Sequence, residues 1–142
     1  MADAMHGRTR QVEAAIGYAA DARGNGVAYA RLTSVRARRL LRVTFAVPKG
    51  ARPIERASGY AALTALARSL RRRGTVRVCF KTNDAQFVDE IQTRRELPDG
   101  LTLSYVRLRC ALNSLANWSV RTAPTDDLTQ RARAEAALNL AA

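Results

Sequence analysis

Histidine is almost absent from this chain. The single one, His6, lies in a polar N-terminal stretch, so a histidine-based triad or a histidine-rich metal site has nothing to be built from. Two cysteines, Cys79 and Cys110, are too few and too far apart for a disulfide framework or a cysteine zinc site. Their apolar neighbours predict small, reduced core residues. No apolar run approaches the ~18 residues needed to cross a bilayer. The longest, Ala14 to Ala20, is broken by Gly17. Met1 to Arg10 holds no apolar segment suited to a signal peptide, so a cytoplasmic location is expected. Carboxylates are scarce too, with 12 Asp and Glu against 24 Lys and Arg, a net charge of +12.

What remains is enough for one ordinary domain. The chain has 142 residues, of which 47% are apolar, so it should fold and bury a core. Residues 1–10 read as a flexible tail and residues 11–142 as a single domain. The charge is divided unevenly: residues 1–83 hold 17 basic and 4 acidic residues, residues 84–142 hold 7 basic and 8 acidic. Nearly all the bases are arginine, whose planar fork suits phosphate. A cation of this size favours a polyanion such as nucleic acid. Arginine used merely for solubility is the plainer alternative.

Gln11 to Ala20 is small, apolar and partly β-branched, which predicts a central strand. The run Asp21 to Gly26 is a turn signal, because Gly and Asn accept positive φ. Val27 to Thr33 and Arg39 to Val47 alternate as two further strands, giving an antiparallel meander that ends at Pro48 to Gly50. The period then changes. Gly59, Leu63, Leu66 and Leu70 share one helical face between Pro53 and Arg73, with Gly74 just past the end. Arg68 and Arg71 to Arg73 fall in the last turns, where they complement the helix dipole. Thr75 to Lys81 predicts a strand, and Asn83 or Asp84 caps a helix running to about Glu96. Leu101 to Asn117 has helical spacing at Tyr105, Leu108, Leu112 and Leu115, although its opening residues also suit a strand. Trp118 to Arg121 predicts a short strand, and Asp126 to Leu140 a closing Ala-rich helix. The expected fold class is therefore α/β, a mixed sheet with an antiparallel meander followed by parallel strands, flanked by helices.

The few carboxylates cluster at element ends. Asp21 follows the first strand, Asp84 the fourth, and Asp126 and Asp127 open the last helix. If the first and fourth strands are neighbours, Asp21 and Asp84 come close together. Packed carboxylates repel unless a cation sits among them, and Mg²⁺ prefers oxygen ligands. Aspartate is also common at turns and caps for purely structural reasons.

Three stretches, and more weakly a fourth, resemble the ribonuclease H family. Ala19 to Tyr29, with Asp21 and its Gly-rich turn, is similar to the family's first strand and hairpin. Ser58-Gly-Tyr-Ala-Ala-Leu63 is similar to its first-helix motif, Ala-Glu-Tyr-x-Ala-Leu. Lys81 to Val88 is similar to Asp-Ser-Gln-x-Val at the fourth strand, and Thr125-Asp-Asp-Leu-Thr129 to Ala-Asp-x-Leu-Ala in the last helix. The resemblance spans residues 11 to about 140 and implies a ribonuclease H-like five-stranded sheet.

It further implies a Mg²⁺- or Mn²⁺-dependent phosphodiesterase acting on RNA in RNA–DNA hybrids, with Asp21, Asp84 and Asp126 as catalytic metal ligands. Arg52, Arg56 and Lys81, which flank the matched motifs, are candidate phosphate contacts. The family's fourth acid, the first-helix Glu, falls on Gly59, and its loop histidine has no counterpart. Glu55, one turn earlier, is a candidate substitute. The alternative reading is a nucleic-acid-binding module that keeps the fold and has lost turnover; a basic domain that meets a protein partner is a third. No membrane association or small-molecule cofactor is expected, and a monomer is.

Overall fold

The computed structural model describes residues 11–93 and 97–141, with the side chains of the last three of these left undescribed. The tail assigned to residues 1–10, including His6, lies outside them. Strand β1 (Gln11–Ala20) is followed by β2 (Asn25–Thr33) and β3 (Arg38–Ala46), then helix α1 (Ile54–Arg72). Strand β4 (Arg77–Thr82) precedes helix α2 (Ala85–Thr93), a single 3-10 turn at Asp99–Leu101, and helix α3 (Thr102–Asn113). Strand β5 (Asn117–Thr122) and helix α4 (Asp126–Ala141) complete the chain.

The five strands form one sheet in the order β3-β2-β1-β4-β5. β1 and β2 pair antiparallel, as do β2 and β3, whereas β4 runs parallel to both β1 and β5. This is the meander-then-parallel arrangement expected from the sequence, with the helices on both faces of the sheet. The opening of the 101–117 segment, compatible with strand or helix by its pattern, is a 3-10 turn running into α3. The Pro98–Leu101 turn bends the chain before any strand can begin, its Leu101 N–H bonding back to the Pro98 carbonyl.

Alternation along β1 sorts its side chains into two layers. Ala14, Ile16 and Tyr18 face the larger core, where Leu63, Leu66 and Leu70 of α1 and Leu108 and Leu112 of α3 are buried. Ala15 and Ala19 face a smaller cluster of Val27, Tyr29, Leu128 and Ala132 under α4. Gly17 lies between Ala15 and Ala19 on the α4 side, where a Cβ would overlap the backbone of Leu128 and Thr129. Close approach of α4 to the sheet therefore depends on that glycine.

The cysteine expectation needs correcting for one residue: Cys79 is half-buried on β4, but Cys110 is exposed on α3. Its flanking apolar residues lie on other faces of the helix, so neighbours in sequence were a poor guide to its burial. No described helix is long and apolar enough to cross a membrane.

Candidate nucleic-acid interface

The C-terminal ends of the parallel strands β1 and β4, the start of α1 and the first turns of α4 meet at one edge of the molecule. The register decides which side chains face one another. Ala15 pairs with Lys81, so counting on along both strands sets Asp84 beside Tyr18. Asp21 stands three residues farther, about 10 Å at the usual strand rise. The Tyr18 hydroxyl donates to Asp84 Oδ2 at 3.0 Å, and Asp84 Oδ1 accepts the Phe87 N–H at 3.1 Å, capping α2. Burial, reinforced by the Asp84 charge, pushes the Tyr18 hydroxyl far above the ordinary tyrosine range, so it remains a donor at any physiological pH.

Asp21 is occupied differently. Its Oδ1 accepts the N–H groups of Arg23 at 2.8 Å and Asn25 at 3.0 Å, closing the β1–β2 turn in which Gly24 takes φ +85. This is the turn role that aspartate plays elsewhere through side-chain-to-backbone bonding. Asp126 is exposed at the start of α4, and its Oδ1 accepts from Asn83 Nδ2 at 2.9 Å. Of the three aspartates singled out from the sequence, only Asp84 lines the central cavity, which has a volume of about 560 Å³. Glu55, Tyr18, Asn83, Ser58 and Arg133 share its wall. Among the described residues, no three His, Cys, Asp or Glu side chains are grouped to hold a metal ion.

Gly59 points toward the sheet, as its helical face predicts. A Cβ on it would lie 2.7 Å from the Tyr18 hydroxyl oxygen and 3.2 Å from Phe87 Cδ1. The tyrosine ring thus fills the room that a side chain at position 59 would need. The divalent pair implied by the resemblance does not fit these residues. Its first-helix ligand position is taken by another side chain, both Asp84 oxygens already accept hydrogen bonds, and Asp21 is turned into its own loop.

The three basic residues expected to meet phosphate fare unequally. Arg56 forms an ion pair with Glu90, which also accepts from Tyr60, so its charge is engaged inside the protein. Lys81 Nζ is 3.1 Å from Glu13 Oε2 across the β1–β4 pair, an exposed contact that water and salt weaken. Arg52 borders a second cavity of about 870 Å³ together with Arg23 and Lys49. The two cavities share Ile54 and Glu55, forming one groove across the strand ends. Arg23, Lys49, Arg52 and Arg133 border it, and none of the four is in an ion pair with a described residue.

Tyr18, Arg23, Lys49 and Arg133 were not singled out from the sequence. Helical spacing could have found Arg133, since Asp126, Thr129 and Arg133 recur at offsets of three and four on α4. Tyr18 carried no comparable signal, because the β1–β4 register that sets it beside Asp84 is a tertiary property.

No protein-family model matches the sequence, and no curated protein matches it. Solved structures do. RNase H1 from the halophilic archaeon Halobacterium salinarum NRC-1 is similar with a TM-score of 0.70 and 19% identity, over 91% of this chain and 98% of that one. The N-terminal RNase H domain of rv2228c from Mycobacterium tuberculosis is similar with a TM-score of 0.65 and 15% identity, over 92% and 98%. LC11-RNase H1 in complex with an RNA/DNA hybrid is similar with a TM-score of 0.61 and 14% identity, over 87% and 91%. At these identities the likeness is one of fold, and the chain has the ribonuclease H-like fold.

Proposed function

We propose that this protein binds nucleic acid, an RNA–DNA hybrid first of all, through the groove at the ends of β1 and β4, and that it holds the duplex without cutting it. The observation that carries this reading is the groove itself. Its four cations, Arg23, Lys49, Arg52 and Arg133, form no ion pair with a described carboxylate and border one continuous depression. Arginine in that position donates paired hydrogen bonds to phosphate oxygens, and each neutralised phosphate releases counterions. The hybrid is the natural first ligand because a protein of the same fold has been solved on one. Turnover is not part of the reading, because a hydrolytic metal pair needs several carboxylates on one space, whereas Tyr18 stands beside Asp84 and no three such groups are gathered among the described residues.

Fluorescence anisotropy with a labelled hybrid tests it. Log affinity should fall linearly with log salt, with a slope of about −3 to −4 if all four cations meet phosphates. Arg52→Ala and Arg133→Ala should each weaken binding and flatten the slope by about one. Absence of binding even at low salt overturns the reading. Cleavage of the hybrid in Mg²⁺ or Mn²⁺, abolished by Asp84→Asn, overturns it in favour of a ribonuclease.

A further inference from the structure

We infer that Tyr18 and Gly59 form a matched pair that has taken over the centre of the carboxylate site, so that the site works without a divalent cation. The inference deepens the reading of the groove as a non-cleaving contact surface and rests on it only in placing both at the same site. Three observations converge on it. First, the register of β1 against β4 delivers a tyrosine, not a carboxylate, to the position beside Asp84. The hydroxyl proton there supplies the positive end of a dipole that a metal would otherwise supply as charge.

Second, positions 18 and 59 are complementary in volume. The Tyr18 ring requires the absence of a Cβ on α1, and Gly59 is the residue that grants it, at a mid-helix position where glycine costs about 0.5–1 kcal/mol relative to alanine. A glycine in the interior of a 19-residue helix is thereby explained by what it faces. Third, Arg133 lines the same cavity as Asp84 and Glu55. Its guanidinium adds positive charge at the rim of that cavity, which disfavours a divalent ion there.

The pairing explains why adding a carboxylate at position 59 alone cannot build a metal site: the new side chain enters the volume of the tyrosine ring. Removing the ring at the same time frees that volume and the Asp84 Oδ2 lone pairs.

Calorimetric titration of the full chain with MnCl₂, without nucleic acid, provides the test. The unmodified protein is expected to show no saturable binding. The double variant Tyr18→Asp/Gly59→Glu is expected to gain saturable Mn²⁺ binding and a metal-dependent rise in melting temperature, both lost when Asp84→Asn is added. Saturable Mn²⁺ binding by the unmodified protein that Asp84→Asn abolishes overturns the inference. So does a folded double variant that takes up no metal. If the double variant does not fold, as circular dichroism would reveal, the titration of the unmodified protein decides alone. Because no nucleic acid is present, failure of hybrid binding leaves these outcomes untouched.

Discussion

A tyrosine hydroxyl on one strand and a glycine on one helix give this site its character, and single-atom changes at them have calculable effects. Tyr18→Phe removes the donor from Asp84 and keeps the ring, so the stability loss should be about 1.5–3 kcal/mol, the usual worth of a hydrogen bond to a charged group. Gly59→Ala should cost about 1–3 kcal/mol by overpacking against the ring. In a Tyr18→Ser background the same change should cost less, since the closest contact is gone, the Phe87 ring at 3.2 Å is what remains, and the helix gains alanine's propensity. Urea denaturation of the four proteins measures this cycle, and simple additivity would refute the contact. Titration adds a further check. The Tyr18 hydroxyl is held protonated by burial and by Asp84, and burial pushes that of Tyr60 up to about 12. A raised folded-state value stabilises fully below the unfolded-state value of about 10, and the benefit is lost as pH climbs through the folded value. Stability should therefore fall as pH rises above about 10, and less steeply in Tyr18→Phe.

At the scale of elements, hydropathy period made most of the architecture readable. Alternation gave the meander, and the switch to a three-to-four spacing gave α1 with Leu63, Leu66 and Leu70 inward, as the structure has them. The resemblance in four short motifs supplied the strand order. Register was not readable, since neither β1 nor β4 contains a feature that fixes Ala15 against Lys81 rather than a residue two positions away. The site was less readable for that reason: Asp84 lines the groove, Asp21 bonds within its own turn, and Tyr18 was not singled out. Arg56 was also misjudged, because its partner Glu90 is remote in sequence and meets it only when α2 packs beside α1. One glycine tests how the helical layer is seated. Gly17→Ala sets a methyl group against main-chain atoms of α4, which cannot swing aside as a side chain can. A loss of about 3 kcal/mol or more is expected in thermal or urea unfolding, with α4 detaching from β1.

Across the whole molecule, the excess of positive charge is spread over several elements, and four of the cations border the groove. Some of the positive charge outside the groove is tied down: Arg31 pairs with Asp127, and Arg42 with Glu135, joining β2 and β3 to α4. What sets Arg23, Lys49, Arg52 and Arg133 apart is that they border one depression at the strand ends. β1 occupies the middle of the sheet, bonded antiparallel on one side and parallel on the other, with a helical layer against each face. The two halves of the sheet and both helical layers meet along that one ten-residue segment. Its amide protons should be the last to exchange with deuterated water, surrendered only when the entire molecule opens. Severed from it beyond Ala20, the rest of the polypeptide should not keep its shape.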